Sequence, residues 1–490
     1  MPRITIMDRE YEAEKGTLVK ECLMHLGVPF PCGGNGMCGK CRVSITGVVN
    51  PLTEQEKQLL SDTDISKGIR LACFARIQGD CGIQILPLDC VTVSAVSANV
   101  EGADGEFSYG VAIDVGTTTV VAALYDGYGH NLAEASAINP QISFGADVIT
   151  RAQAAAMGKS ADLSTSICRC INDLLCQLSH DTGADTEAIQ KVVITGNTAM
   201  LCMLIETPVD ALLCAPFQSY RLFGEMLSAP RICFPVLSAE AQVYLPRCID
   251  AFLGADFVCA MGAVGLTRST DTALMVDVGT NGEMALWHNG QLYACSTAAG
   301  PAFEGVGISC GMVAAQGAID RVKIANQSLV YHTIGGTAPI GICGSGLIDL
   351  VACLRDLDEL DSMGAMMENE YPLCPNISLT REDIHAFLVS KSAIRSGMET
   401  LCHAAGVPID AVQRVYVAGN FGSSLNLRNA VRTGLFCREW EGRIIPVGNA
   451  ALKGASQRLF DQNDDMPAVQ KVELATDAYF ADAFIRNMVL

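Results

Sequence analysis

The fold of this chain is decided by one stretch, Tyr109-Gly110-Val111-Ala112-Ile113-Asp114-Val115-Gly116-Thr117-Thr118-Thr119-Val120-Val121-Ala122-Ala123-Leu124-Tyr125-Asp126. An apolar strand ends in an acid, turns through glycine and threonine, and returns as a second apolar strand. The same strand-turn-strand motif recurs at residues 272–287, where Asp-Val-Gly-Thr again leads into the turn. Two copies of one strand-turn-strand predict two related lobes.

The chemistry of this turn suits a phosphate group. A glycine-led hairpin brings backbone N–H groups and threonine hydroxyls into one small volume, and the carboxylate at the strand end can hold a hydrated Mg²⁺ beside them. A single hairpin of this kind is ordinary and indicates little. Two of them, with Asp114 and Asp277 at the strand ends, would form a nucleotide clamp if they face each other.

Four further segments fit this plan. Residues 191–200 form a buried strand that breaks at Gly-Asn into a helix, and residues 414–422 repeat that figure in the second half. Glycine-rich stretches at 297–305 and 341–349 are each typical of a turn that feeds a helix. These two stretches are either anion sites or places where helices pack on small residues, and both interpretations stay open.

With these motifs the chain resembles the superfamily of actin, the sugar and acetate kinases and the heat-shock chaperone ATPases. The resemblance implies a two-lobed α/β ATPase of the actin-like fold, a duplicated ribonuclease-H-like fold, that binds ATP. Asp114 and Asp277 would hold Mg²⁺ through water, and Glu283 and Glu304 are the candidates for orienting the attacking water. The nucleotide-binding residues are then Gly116, Thr117, Thr118, Thr119, Asn197, Gly279, Thr280, Asn281, Gly282, Gly300, Gly419 and Asn420.

A cysteine loop precedes these lobes, with Cys32, Cys38 and Cys41 set among glycines. Three thiols at the spacing C-x5-C-x2-C suit a metal ion or an iron–sulfur cluster. A structural zinc site is the alternative, but zinc sites typically use two CxxC pairs and only one is present here. The loop resembles that of the [2Fe–2S] ferredoxins, and the resemblance implies Cys73, in Arg-Leu-Ala-Cys, as the fourth ligand.

The residues around this loop predict a compact domain of the α+β, β-grasp ferredoxin type. Residues 4–7 and 42–45 are predicted strands, Thr53 is expected to cap a short helix with Glu56 three residues on, and residues 70–85 are a predicted last hairpin.

A short, acidic, glycine-containing segment follows and is predicted to be a linker, which could stretch to on the order of 50 Å. We therefore predict a ferredoxin domain at 1–92, a linker at 93–108, a first ATPase lobe at 109–268 and a second lobe at 269–490.

Composition limits the partners. The 490 residues carry a formal charge of −20, which argues against nucleic acid and anionic lipid. The sequence shows no bilayer-length apolar run and no export signal, so we expect a soluble, cytoplasmic protein whose 22 cysteines are mostly reduced. The seven histidines form no zinc-hydrolase pattern.

The order ferredoxin then ATPase resembles, over essentially the whole chain, the reductive activators of corrinoid proteins. The resemblance implies that the cluster gives one electron to inactive cob(II)alamin on a corrinoid (cobalamin-binding) partner, restoring cob(I)alamin, and that this step needs ATP. It also implies an upstream low-potential reductant, and it leaves open whether the protein is a monomer or a homodimer. Two alternatives remain: an ATP-coupled electron donor to another metallo- or radical enzyme, and a small-molecule kinase with a redox-sensing ferredoxin domain.

Overall fold

The computed structural model describes the chain except for residues 7–8, 24–29, 31–35, 37–40, 61, 86–97, 146 and 463–465, with backbone only at 62, 63 and 420. Contacts divide the chain into two compact units. The first comprises Met1–Leu88, Asp104–Gly127 and Leu132–Leu245, and the second comprises Asp89–Ala103, Tyr128–Asn131 and Pro246–Leu490. The predicted boundary between the lobes after residue 268 stays a prediction. Among the residues so described, no helix has the length and apolar character that a membrane crossing needs.

The N-terminal domain is built on a five-stranded mixed sheet. Its elements are β1 (Arg3–Ile6), β2 (Arg9–Glu12), α1 (Val19–Leu23), β3 (Arg42–Val49), α2 (Glu54–Leu59), α3 (Asp62–Ser66), β4 (Ile69–Leu71) and β5 (Ile77–Ile85). The strand order is β2-β1-β5-β3-β4, with β5 parallel to β1 and antiparallel to β3. The predicted hairpin over residues 70–85 is therefore wrong. Strand β5 is the central strand, and it satisfies the backbone groups of β1 and β3 instead of pairing with β4.

The predicted cap of helix α2 is confirmed. The Glu56 N–H donates to Thr53 Oγ1 at 3.1 Å, and the Thr53 N–H donates to the Glu56 carboxylate at 3.1 Å, which together form a capping box. Glu56 is completely buried, and its carboxylate also accepts two bonds of 2.8 Å from Arg70 and one of 3.2 Å from the Leu71 N–H. These bonds fix α2 to β4, immediately before Cys73.

A six-stranded sheet contains the first phosphate turn. The elements of this region are β6 (Tyr109–Val115), β7 (Thr119–Asp126), β8 (Asn131–Ile138), α4 (Val148–Ala154), α5 (Ser160–Thr182), β9 (Ile189–Gly196), α6 (Thr198–Leu204), β10 (Glu225–Ser228) and β11 (Gln242–Leu245). The strand order is β10-β11-β9-β6-β7-β8, with β6 antiparallel to β7 and parallel to β9.

A second six-stranded sheet contains the second phosphate turn. Its elements, with those packed around it, are α7 (Ala255–Ala263), β12 (Ala273–Val278), β13 (Asn281–His288), β14 (Gln291–Ala298), β15 (Ala318–Ala325), β16 (Ser328–Thr333), β17 (Gly341–Ile342), α8 (Gly344–Asp356), β18 (Glu370–Cys374), β19 (Ile377–Thr380), α9 (Arg381–Ala404), β20 (Arg414–Ala418), α10 (Gly419–Ser424), α11 (Leu427–Arg432), β21 (Ile444–Gly448), α12 (Ala450–Arg458), β22 (Val469–Lys471) and α13 (Ala478–Arg486). The strand order is β21-β20-β12-β13-β14-β22.

The predicted duplication is confirmed by the topology. The order β11-β9-β6-β7-β8 in the first sheet corresponds to β21-β20-β12-β13-β14 in the second. The register corresponds as well, because Asp114 lies beside Thr195 on the parallel neighbour β9, and Asp277 lies beside Ala418 on β20. Each acid thus stands near the carboxyl end of its strand, beside a strand that leads into a helix, which is where α/β sheets bind ligands.

Part of the predicted linker is bound to the turn between β7 and β8. The Val100 N–H donates to Gly129 O at 2.8 Å, and the Asn131 N–H donates to the Asn99 side-chain oxygen at 3.0 Å. The predicted free reach of the linker is therefore too long, because its second half belongs to the folded chain. Residues 93–97 lie outside the described residues.

Candidate active site and cluster site

Two of the four predicted cluster ligands are described, and they lie together. The Cys41 and Cys73 Sγ atoms are 3.3 Å apart and both side chains are buried. Two tetrahedral metal–thiolate bonds of about 2.3 Å place their sulfur atoms ~3.8 Å apart. The Cys41–Cys73 distance is close to this value, so the pair fits a shared metal or cluster. The hydrogen bond with Cys73 lowers the pKa of the Cys41 thiol to about 7, which favours the ligating thiolate. Cys32 and Cys38 lie outside the described residues.

The first phosphate turn, residues 116–118, is held by three hydrogen bonds to its backbone carbonyls. The Asn139 side-chain amide donates to Gly116 O at 2.8 Å, and the Asn139 N–H donates to Thr118 O at 2.8 Å. The Arg151 guanidinium donates to Thr117 O at 2.6 Å. Each of the three consecutive carbonyls of the turn therefore accepts a hydrogen bond from Asn139 or Arg151.

This arrangement sets the direction of the N–H groups. In a trans peptide the C=O and the following N–H point in opposite directions. Each of the Thr117, Thr118 and Thr119 N–H groups is therefore directed away from the donor that holds the preceding carbonyl, and such N–H groups can bind an anion. The Gly116 N–H has a separate role, since it donates to Thr119 O at 3.0 Å and closes the hairpin.

The second phosphate turn, at Gly279 and Thr280, is organised around Glu304. Thr280 Oγ1 donates to the Glu304 carboxylate, and the Gly300 N–H donates to Thr280 O at 3.0 Å. The Gly279 N–H donates to Asn281 O at 3.1 Å and closes this hairpin as its counterpart closes the first. Burial raises the pKa of Glu304, and the bonds from Thr280 offset only part of that rise. The fold thus brings the predicted residues Gly300 and Glu304 to the turn.

The Asp277 carboxyl occupies a poorly solvated, acidic position. Loss of solvent raises its pKa to about 7, and the charges of Asp256 and Glu304 add to the rise. Gly419 lies against it, because a Cβ atom at this glycine would stand 2.7 Å from Asp277 Oδ1. A carboxyl that ionises reluctantly on its own is stabilised in its charged form by a cation, which suits the predicted magnesium role.

Strand β13 carries three more of the predicted residues. Asn281 begins the strand, and Glu283 is buried directly opposite Asp277 in the antiparallel pair β12–β13. Directly opposite residues share a face of the sheet, so Glu283 is brought beside Asp277. Gly282 is buried, and a Cβ atom there would stand 3.2 Å from the Ile394 side chain of α9. Its contact with nucleotide stays a prediction.

The remaining predicted residues flank the two turns. Asn197 is the N-cap of α6 and accepts a bond of 3.0 Å from the Ala199 N–H, while Asp114 is half-buried at the penultimate position of β6. The Asn420 side chain lies outside the described part of the chain. Within the ranges given above, no three His, Cys, Asp or Glu side chains are grouped to hold a metal ion. A hydrated Mg²⁺ needs no such group, because it commonly takes one or two carboxylates together with water and substrate phosphate.

Sequence reasoning missed three residues at these turns. Asn139 and Arg151 reach the first turn across 23 and 34 positions of sequence, and Asp256 acts on Asp277 from the start of α7. Two of them carried a signal, since Asn139 precedes a proline and Asp256 is an acid two residues after Gly254, at the start of a helical pattern. Arg151 carried none.

Comparison with known families gives matches along nearly the whole chain. Residues 4–78 match the 2Fe-2S iron-sulfur cluster binding domain. Residues 109–269 match the RACo middle region, and residues 271–490 match the C-terminal domain of RACo, the ASKHA domain.

Individual relatives agree with these matches. The corrinoid activation enzyme RamQ of Eubacterium limosum is 30% identical over 416 residues, which are 77% of this chain and 70% of that protein. The Co(II) methylated amine-specific corrinoid protein reductase of Methanosarcina barkeri is 25% identical over 59% of each chain. The solved structure of a reductive activator for corrinoid, iron-sulfur protein is 27% identical, with a TM-score of 0.70 over 100% of this chain and 98% of that one. The chain therefore belongs to the family of corrinoid reductive activators, with a [2Fe–2S] ferredoxin domain followed by an actin-like ATPase.

Proposed function

We propose that this protein uses ATP to pass one electron from its [2Fe–2S] cluster to cob(II)alamin on a corrinoid protein, regenerating cob(I)alamin. The proposal is carried by the presence, in one chain, of the buried Cys41–Cys73 thiol pair and of two phosphate turns that follow Asp114 and Asp277. A chain needs both an electron carrier and a nucleotide-driven domain when electron transfer is coupled to ATP. The relatives named above for corrinoid activation supply the class of partner.

Redox energetics explain the need for ATP. When bound, the cluster would supply one electron at a time, at a reduction potential of about −400 mV. Reduction of cob(II) to cob(I) lies at lower potential, and each shortfall of about 59 mV costs tenfold in a one-electron equilibrium. We propose that the ATP-bound protein holds the corrinoid protein in a complex in which the axial coordination of the cobalt changes and its potential rises. Hydrolysis then releases the partner, and a low-potential reductant replaces the electron.

The described residues support specific roles in the ATP site. Asp114 and Asp277 hold a hydrated Mg²⁺, while the N–H groups of the first turn and the Thr280 turn bind phosphate oxygens. Glu304 is better placed than Glu283 to orient water, because it contacts the second turn directly through Thr280. Its raised pKa also makes it a stronger proton acceptor near neutral pH.

The experiment that tests the proposal is anaerobic stopped-flow mixing of the reduced protein with a cob(II) corrinoid protein. The cob(I) absorbance is expected to rise with ATP and to stay low without it. Cys73→Ser should abolish the rise, whereas the matched control Cys81→Ser, a buried cysteine of β5 in the same domain, should preserve it. Equal cob(I) formation with and without ATP would refute the coupling, and an unchanged rate in Cys73→Ser would refute the cluster as donor.

A further inference from the structure

Arg151 is a fully buried cation held by neutral groups. Its side chain is 0% exposed, its Nε donates to Gly145 O at 2.8 Å, and its two Nη atoms approach Thr117 O at 2.6 Å and the Met200 sulfur at 3.5 Å. It forms no ion pair with any residue that the structure describes. Asp147 is the acid whose charge acts on it, and the Asp147 carboxylate is engaged in capping α4 through a bond of 2.8 Å from the Thr150 N–H.

A buried guanidinium without a charged partner lowers the stability of the protein when no anion is bound. Burial lowers the pKa of Arg151 to about 10, so the side chain nevertheless keeps its charge at neutral pH. Neutral carbonyls satisfy its N–H groups but do not neutralise the charge, and an incompletely compensated charge in a poorly solvated site favours the approach of an anion.

The position of this charge indicates which bound anion it would stabilise. The guanidinium contacts the Thr117 carbonyl, and the Thr118 N–H of the same trans peptide points the opposite way, toward the side on which we place the phosphate. The charge therefore lies directly behind the first phosphate turn, close enough to act on a bound phosphate through the turn but without touching it.

We propose that Arg151 is a positioning residue with an electrostatic role: it fixes the first phosphate turn and supplies the charge complement of the nucleotide's di- or triphosphate. The inference rests on the proposed ATP binding and deepens it. It assigns to this buried side chain the preference of the site for nucleotides with more phosphates. If the bonds of Arg151 had only a structural role, their loss would weaken the binding of all adenine nucleotides equally.

The test compares AMP, ADP and the non-hydrolysable analogue AMPPNP by calorimetric titration of the full-length protein with Mg²⁺. Arg151→Met keeps the length of the side chain and removes its charge. It should weaken AMPPNP binding about tenfold or more, as expected for one partly screened charge pair, ADP binding less, and AMP binding about twofold at most. The matched control Arg169→Met removes an exposed arginine from α5 of the same unit and should change none of the three affinities.

A second variant keeps the inference testable if Arg151→Met does not fold. Arg151→Lys retains the charge but replaces the rigid guanidinium fork with a single ammonium nitrogen, and it should keep AMPPNP binding within about threefold of the unaltered protein. Losses equal for AMP and AMPPNP in either variant would overturn the inference, as would unchanged AMPPNP binding in Arg151→Met. An unaltered protein that binds none of the three nucleotides would instead refute the ATP-binding proposal on which the inference rests.

Discussion

At the scale of single residues, the second phosphate turn depends on the absence of a side chain at Gly419. This glycine has a φ of +85°, and a Cβ atom would stand 2.7 Å from Asp277 Oδ1. Gly419→Ala should therefore displace the carboxylate that we assign to Mg²⁺ and weaken Mg²⁺–nucleotide binding by about tenfold or more, on top of a backbone strain of about 1–2 kcal/mol. Calorimetric titration with AMPPNP measures the first effect, and thermal unfolding measures the second.

The control for Gly419 is Gly442. Gly442 has a φ of +80° with nothing within 4 Å of an added Cβ, so Gly442→Ala introduces similar backbone strain without the clash. It should lower stability and leave nucleotide binding unchanged. Equal loss of binding in both variants would mean that strain, and not contact with Asp277, explains the effect.

The second residue-scale prediction separates the two candidate acids. Glu304→Gln keeps an oxygen that can accept the Thr280 hydroxyl but removes the carboxylate base, so the turnover number for ATP hydrolysis should fall about 100-fold with little change in nucleotide affinity. Glu283→Gln, on the strand opposite Asp277, is the matched control and should retain hydrolysis. Steady-state phosphate release at saturating ATP decides the assignment, and the reverse result would transfer the role to Glu283.

At the scale of elements, helix α2 supports the cluster site through one buried carboxylate. Burial alone would raise the pKa of Glu56, but the bonds from Arg70, Thr53 and Leu71 outweigh it and lower the pKa. The lowered pKa stabilises the fold above the unfolded value of about 4.3, and this contribution is lost as pH falls through the folded value. Strand β4, which carries Arg70, leads directly to Cys73, so we expect cluster retention to follow the same pH dependence.

Glu56→Gln should destabilise the ferredoxin domain by about 3 kcal/mol, because it leaves the Arg70 charge without its partner. Acid and thermal loss of the cluster's visible absorbance measures the effect. Glu54→Gln on the same helix is the control, since the Glu54 side chain is 83% exposed and its bond to Lys57 should contribute less than about 1 kcal/mol. If both variants lost the cluster alike, the buried pair would have no special role.

Elements also show which contacts local sequence can predict. The capping box at Thr53 was predictable because its two partners stand three residues apart, and both strand-turn-strand figures were predictable because each is one continuous run. The hairpin at residues 70–85 was predicted wrongly because β5 pairs with β1 and β3, and no local pattern encodes pairing with a strand seventy residues earlier. Arg151 escaped prediction for the same reason, since only the folded chain brings it behind Thr117.

At the scale of the whole molecule, duplication accounts for the two phosphate turns but not for their differences. The first turn is held by Asn139 and Arg151 behind its carbonyls, whereas the second is held by Glu304 and Gly300. One sheet thus presents a buried cation at its turn and the other presents carboxyls with raised pKa values. Taken by itself, the first turn therefore favours an anion, and the second, taken by itself, favours a cation.

The connection between cluster and ATPase gives the last prediction. The structure fixes Asn99 and Val100 to the β7–β8 turn, so the predicted linker of residues 93–108 is anchored from Asn99 onwards. Gly129 makes this anchoring possible, because its φ is +83° and a Cβ atom would clash with the Val100 carbonyl. Gly129→Ala should therefore release the anchored segment and lengthen the effective tether of the ferredoxin domain.

A longer tether lowers the effective concentration of the cluster at the bound corrinoid protein, roughly as the −3/2 power of linker length. ATP-dependent cob(I) formation should therefore slow about two- to threefold in Gly129→Ala, while AMPPNP affinity stays unchanged. Amide hydrogen exchange at Val100 reports whether the segment is released, and Gly183→Ala, with a φ of +73° and nothing within 4 Å of an added Cβ, controls for backbone strain. A released segment with an unchanged rate of cob(I) formation would show that the anchoring does not limit electron delivery, and that domain docking sets the rate instead.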